Sequence, residues 1–188
     1  MYTAEEDASS PTVSTEALLI TVAIDAVEER FIATCDITGA FLKADMDDFV
    51  LIVLRDKEID ALLQANPKYE AYVKELKNGM RIIYLELIKA MYGCLKSARL
   101  FWDNLSNFLG KLGFTQNSYD LCVADKVIDG HQCTVAWHVN DLKISHKDEK
   151  VVLQIIKLLE SEYGTMTVTT GDAHTYCGMD FIFKMNQL

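Results

Sequence analysis

Trp137-His138-Val139-Asn140-Asp141-Leu142-Lys143-Ile144-Ser145 is the stretch whose reading decides the fold, two short apolar runs meeting at a polar pair. Val135, Trp137 and Val139 alternate before the pair, and Leu142 and Ile144 follow it. That period of two predicts a β-hairpin with Asn140 and Asp141 at the turn. A tight turn that lifts an acidic side chain from a sheet is a place where a cation can be held. A plain turn explains the same residues, because Asn and Asp tolerate φ > 0 better than most and favour two-residue connections for that reason alone. On local residues the plain turn is the simpler reading, and only a second carboxylate brought close by the fold would change it.

A candidate for that carboxylate stands upstream. Phe31-Ile32-Ala33-Thr34-Cys35-Asp36-Ile37 is short, β-prone and apolar until Asp36. It reads as a buried strand ending in an acid. An unpaired buried charge is costly, so Asp36 should be exposed at the strand end, hydrogen-bonded, or bound to a cation.

Around these two stretches the pattern alternates helices with strands. Ser14 is placed to cap a helix that is apolar around most of its circumference, from Ala17 to Val27. An acidic turn (Asp45, Asp47, Asp48) precedes a strand over Phe49 to Leu54. A helical segment, or two separated at Pro67, fills Asp56 to Leu76, and Asn78-Gly79 turns the chain into a strand over Met80 to Leu87. Ser97 is read as the cap of a helix carrying Leu100, Phe101, Leu105, Phe108, Leu109 and Leu112, with Gly113 at its end. Strands over Leu121 to Ile128 and Gln132 to Val139 join at Asp129-Gly130. A helix over Asp148 to Tyr163 follows, then strands over Met166 to Thr169 and Tyr176 to Phe183. The predicted class is α+β, a mostly antiparallel sheet with helices packed on one face.

The 188 residues are half hydrophobic, which suffices for one substantial core. Residues 1–11 read as a disordered or truncated entry and residues 12–188 as the domain. Lysine and arginine total 18 against 28 acids, a formal charge of −10, which argues against a free-standing nucleic-acid-binding module with a basic face. The five cysteines are odd in number and widely spread, with no Cys-x-x-Cys pair. They read as reduced thiols of an intracellular protein. No apolar run reaches the ~20 residues that span a bilayer, and the acidic start resembles no signal peptide, so neither a membrane nor secretion is expected.

Three separated pieces match one pattern in order. Asp36-Ile37-Thr38-Gly39-Ala40-Phe41-Leu42 resembles the first catalytic motif of copia-type retrotransposon reverse transcriptases, an Asp followed five residues later by an aromatic. Met91-Tyr92-Gly93-Cys94-Leu95-Lys96-Ser97-Ala98-Arg99-Leu100-Phe101-Trp102 is similar to their Tyr-Gly segment with its downstream Arg and Trp. Trp137-His138-Val139-Asn140-Asp141 is similar to their aromatic-Val-Asp-Asp box. Tyr176-Cys177-Gly178-Met179-Asp180-Phe181 resembles the strand that follows in the family.

The resemblance implies a polymerase palm with part of the fingers, in which Asp36, Asn140 and Asp141 form the catalytic and metal-holding set. Its cofactor would be Mg²⁺ or Mn²⁺ in a two-ion site, because hard cations take oxygen ligands and two of them stabilise the entering and leaving oxygens of an in-line displacement. It implies that Gly39 and Ala40 present amides to an incoming triphosphate and that Phe41 is a steric gate selecting deoxynucleotides. Tyr92 and Gly93 would line the nucleotide pocket. Lys96, Arg99, Tyr176 and Gly178 would serve the nucleic acid. The implied partners are an RNA or DNA template with its primer, dNTPs, and the rest of a retroelement polyprotein.

The chain departs from the family at Asn140, where the pattern has Asp. An Asn keeps one acceptor oxygen, loses the charge and adds an NH₂ donor, so the implied metal site is weakened and the copy is expected to be catalytically defective. His138 and Ala98 are milder departures. The family's basic fingers segment, thumb and RNase H domain have no counterpart in this sequence, so it reads as a partial copy that binds template and primer weakly.

Overall fold

The computed structural model describes residues 9–183, so most of the entry expected over 1–11 lies outside the described residues. Ser14 opens helix α1 (Thr15–Val27) as expected: its hydroxyl accepts the amide of Ala17 at 3.2 Å, and its own amide donates to Asp120 Oδ2 at 2.8 Å. β1 (Phe31–Ile37) follows, buried along most of its length with Asp36 half-buried near its end.

A small lobe comes next. It contains β2 (Leu51–Arg55), α2 (Asp56–Ala65), a 3₁₀ turn over Pro67–Tyr72, β3 (Lys74–Glu75) and β4 (Arg81–Glu86), with strand order β2-β4-β3. Of the two readings of Asp56 to Leu76, the structure takes the one split at Pro67, and the second piece ends at Tyr72. Pro67 offers no amide to continue α2, and the Asn66 side chain instead accepts the amide of Lys68 at 3.2 Å to start the tighter turn.

α3 (Ser97–Lys111) begins without a side-chain cap, and Ser97 is its first helical residue rather than the residue before it. Its hydroxyl is engaged elsewhere, accepting the amide of Met91 at 3.0 Å and donating to the Met91 carbonyl at 2.6 Å. The C-terminal reading holds. Gly113 has φ +87°, the amide of Gly113 reaches Gly110 and that of Phe114 reaches Leu109, the two bonds by which a left-handed residue closes a helix.

β5 (Thr115–Gln116), β6 (Val123–Ile128), β7 (His131–His138) and β8 (Asp141–His146) then form a meander, followed by α4 (Glu149–Tyr163) and β9 (Met166–Thr170). The main sheet has the order β5-β6-β7-β8-β1-β9, and every pairing in it is antiparallel. The expectation of an α+β class with a mostly antiparallel sheet stands, with α3 and α4 on one face of the sheet and α1 on the other. The last expected strand does not: Tyr176 to Phe183 is broken by a turn at Cys177 and Gly178, with φ +51° and +73°, into β10 (Ala173–Tyr176) and β11 (Met179–Ile182).

The central hairpin turns one residue earlier than expected. Its loop residues are Val139 and Asn140, His138 pairs with Asp141, and Asp141 is the first residue of β8. Burial sets this register. Trp137 lies opposite Leu142 and Val135 opposite Ile144, all four fully buried, and a slip of one residue would turn them to the other side of the sheet.

Alternation along β8 puts Asp141, Lys143 and Ser145 on one side and Leu142, Ile144 and His146 on the other. Every one of them except Asp141 is buried, so both sides are covered there. Leu142 and Ile144 join a core that includes Val152, Ile155, Ile156 and Leu159 of α4 and Phe101 and Leu105 of α3. Truncating an aromatic as enclosed as Phe101 or Trp137 typically costs about 3–5 kcal/mol. On the other side of β8, α1 sends Asp25 to Lys143.

Candidate functional site

The register of β1 against β8 makes Asp36 and Asp141 direct cross-strand partners, so both side chains leave the sheet on one side. The pairing is closed by the Ile37 amide, which donates to the Asn140 carbonyl at 3.0 Å. The Asn140 side chain turns the same way, and its Nδ2 donates to Asp36 Oδ2 at 2.5 Å. The amide must present its N–H side there, because a carboxylate oxygen is an acceptor and would repel the carbonyl end. The sequence-predicted trio is thus brought together at one end of the main sheet.

Its electrostatics follow from that crowding. Burial raises the Asp141 carboxyl above the usual range, and the nearby Asp36 charge pushes it further in the same direction. Two carboxylates and one amide are the whole set: among the described residues, no group of three or more His, Cys, Asp and Glu side chains could hold a metal ion. With Asn140 in place of a third acid and one Asp36 oxygen already taken by an N–H donor, the set is one charge and one free oxygen short of a two-ion site held by three carboxylates.

Tyr176 lies beneath the hairpin. It is 3% exposed, and its hydroxyl is 3.0 Å from the Asp141 carbonyl and 3.2 Å from the Ala136 carbonyl, one on each arm. Its ring supports the hairpin from inside the protein. Burial holds the phenol well above its ordinary pKa. Gly178 supplies the left-handed residue that lets the chain reverse after it.

The remaining predicted residues form a second group on the connection after β1. Gly39, at φ +66° and ψ 32°, sits where a side chain would be strained, and it starts a 3₁₀ turn over Ala40–Lys43. Ala40 is fully buried. The Phe41 ring packs against Tyr92 with centroids 4.4 Å apart and meets the Phe101 edge at 6.5 Å, so it is anchored on one side by the core. Tyr92 and Gly93 are exposed, and Gly93 has φ +93°.

Lys96 and Arg99 both have acidic partners. Lys96 Nζ lies 2.7 Å from Asp47 and 3.0 Å from Asp48, which raise its pKa, and Arg99 reaches Asp103 at 3.2 Å while covering the Trp102 ring. A phosphate on either would have to replace those contacts.

Sequence reasoning missed the buried ion cluster on the carboxylate side of β8. Lys143 pairs with Asp25, whose second oxygen lies 3.8 Å from Arg30 Nη1, and Arg30 also donates to Thr134 Oγ1 at 3.1 Å. All three charged side chains are at most 2% exposed. Burial lowers the Lys143 pKa, and the Asp25 charge works against that shift. The signal was present: Asp25 and Lys143 are lone, opposite charges in apolar runs.

A family model described as reverse transcriptase (RNA-dependent DNA polymerase) matches residues 2–188. No curated protein and no solved structure matches the chain.

Proposed function

Because this chain belongs to the reverse transcriptase family, we propose that it is an RNA-directed DNA polymerase palm of copia-type retroelement descent whose nucleotidyl transfer is impaired at Asn140. The observation that carries this reading is the pairing of Asp36 with Asp141 on adjacent strands, with Phe41 five residues beyond Asp36 and packed against Tyr92. Members of the family use divalent metals and act on a template and primer, and by this reading the partners are nucleic acid and dNTPs. Gly39 and Ala40 would face the triphosphate, and Phe41, stiffened by its contacts, would discriminate against a 2′-hydroxyl.

The impairment follows from charge. At an effective dielectric of about 20, a unit charge about 4 Å from a doubly charged ion contributes on the order of 8 kcal/mol before water compensates. Losing half of that is a thousandfold in rate. Primer extension with Mg²⁺ by the full chain and by Asn140→Asp tests the reading. The variant should extend a primer at least about a thousandfold faster than the parent. Family-like incorporation by the parent, unimproved by Asn140→Asp, contradicts the impairment.

A second reading is favoured by the Asn140 bond to Asp36: a palm that no longer polymerises and serves as a binding or scaffold protein. Absence of extension from both chains, with Phe41 and Asp36 retained, favours it.

A further inference from the structure

The carboxylate end of the main sheet is closed by the chain's own groups. Asp36 accepts the Asn140 side-chain amide, the Ile37 amide donates to the Asn140 carbonyl, and the Asp141 carbonyl accepts the Tyr176 hydroxyl. Three acids at these positions would repel one another until cations arrived, since like charges a few ångströms apart in a half-buried site disfavour each other's ionised form. Asn140 removes one of those charges. It also turns a donor onto a second, so Asp36 is satisfied by a charge-assisted hydrogen bond with no ion present.

A mere turn residue would behave differently. Asn at a tight turn commonly bonds backbone within a few residues of itself, whereas the Asn140 side chain spans 104 positions of sequence to reach β1.

We propose that Asn140 is an internal clamp standing in for a bridging cation: it joins the hairpin to β1 without metal, and it occupies the Asp36 oxygen that a cation would need. The inference rests on reading this end as the place where the family holds its cations. It reaches beyond impaired catalysis, because it assigns Asn140 a stabilising part that polymerase assays do not measure.

Thermal unfolding of the full chain, of Asn140→Asp and of Asn140→Ala, each in chelator and in Mg²⁺, tests it, together with a Mn²⁺ titration followed by loss of the free-ion resonance. The parent should respond to about 10 mM Mg²⁺ by less than about 1 °C and leave submillimolar Mn²⁺ free, whereas Asn140→Asp should lose several degrees in chelator and recover about 2–4 °C with Mg²⁺. Asn140→Ala should lose stability in both conditions without recovery. A parent that gains as much from Mg²⁺ as Asn140→Asp overturns the clamp and leaves the cation-holding reading intact. No response from Asn140→Asp overturns both. If Asn140→Asp does not fold in chelator, an Asn140→Ala melting point equal to the parent's still overturns the clamp.

Discussion

The Tyr176 hydroxyl lies 3.0 Å from the Asp141 carbonyl and 3.2 Å from that of Ala136, so one buried phenol holds both arms of the hairpin that presents Asp141. Tyr176→Phe keeps the ring and removes only these bonds, leaving two carbonyls with a vanished donor. The variant should lose about 1–2 kcal/mol in urea denaturation with an unchanged slope. A parental midpoint would mean that the hydroxyl contributes nothing to the hairpin.

Asp25 and Lys143 form an ion pair at most 2% exposed, and the Lys143 charge has no other carboxylate within salt-bridge distance among the described residues. Removing Asp25 strands the Lys143 charge in the interior, whereas removing Lys143 leaves Asp25 with Arg30 at 3.8 Å. Asp25→Leu alone should cost about 3–5 kcal/mol and Lys143→Met alone less, because Arg30 still faces Asp25, whereas Asp25→Leu with Lys143→Met should cost clearly less than the sum of the two single losses. Strict additivity in the double-mutant cycle would deny the pair.

Cys35, Cys122 and Cys133 have thiols pushed up to about 12 by burial, whereas Cys177 is exposed and Cys94 half-buried. Partial burial and the Asp141 charge also raise the Cys177 thiol, so in native protein at pH 8 iodoacetamide should modify Cys94 and, more slowly, Cys177, and the other three only after unfolding, as peptide mass spectrometry would show. Rapid labelling of Cys35 would contradict its enclosure in the sheet.

The same three thiols set an alkaline limit. Their folded pKa values lie above that of an unfolded thiol, near about 8.5, so the unfolded chain releases protons first. Their contribution is complete below that pH and is lost as pH rises from there through about 12. Denaturation midpoints should hold flat from pH 7 to 8 and fall above pH 9. Serine at all three positions should reduce that alkaline slope.

Val139 adopts φ +56° at the hairpin loop, an unfavourable conformation for a β-branched residue. Val139→Gly should leave stability unchanged or raise it by up to about 1 kcal/mol, the strain relieved exceeding the entropy cost of glycine. A loss above about 1 kcal/mol would show instead that the Val139 side chain contributes packing that outweighs its backbone cost.

Much of this fold is local and therefore legible. Ser14 capping α1, Gly113 ending α3, the apolar run of β1 and the alternation around Trp137 each arise from preferences acting within a few residues, and the structure carries all of them. The order of the motifs, by its resemblance to the family, implied that Asp36 and Asp141 share one site, because a shared pattern encodes a shared register. Only the tertiary structure decided the rest. It moved the turn to Val139 and Asn140, since register is set by burying Trp137 against Leu142 and not by turn propensity. It took Ser97 from its cap to hold Met91, turned the Tyr176 ring inward, and gave Lys96 its acidic partners Asp47 and Asp48. It joined Asp25 to Lys143 and Asn140 to Asp36 across 118 and 104 positions of sequence. Charge and hydrogen bonding act through space, and the partner of a polar side chain is fixed only when the packed core has brought distant strands and helices together.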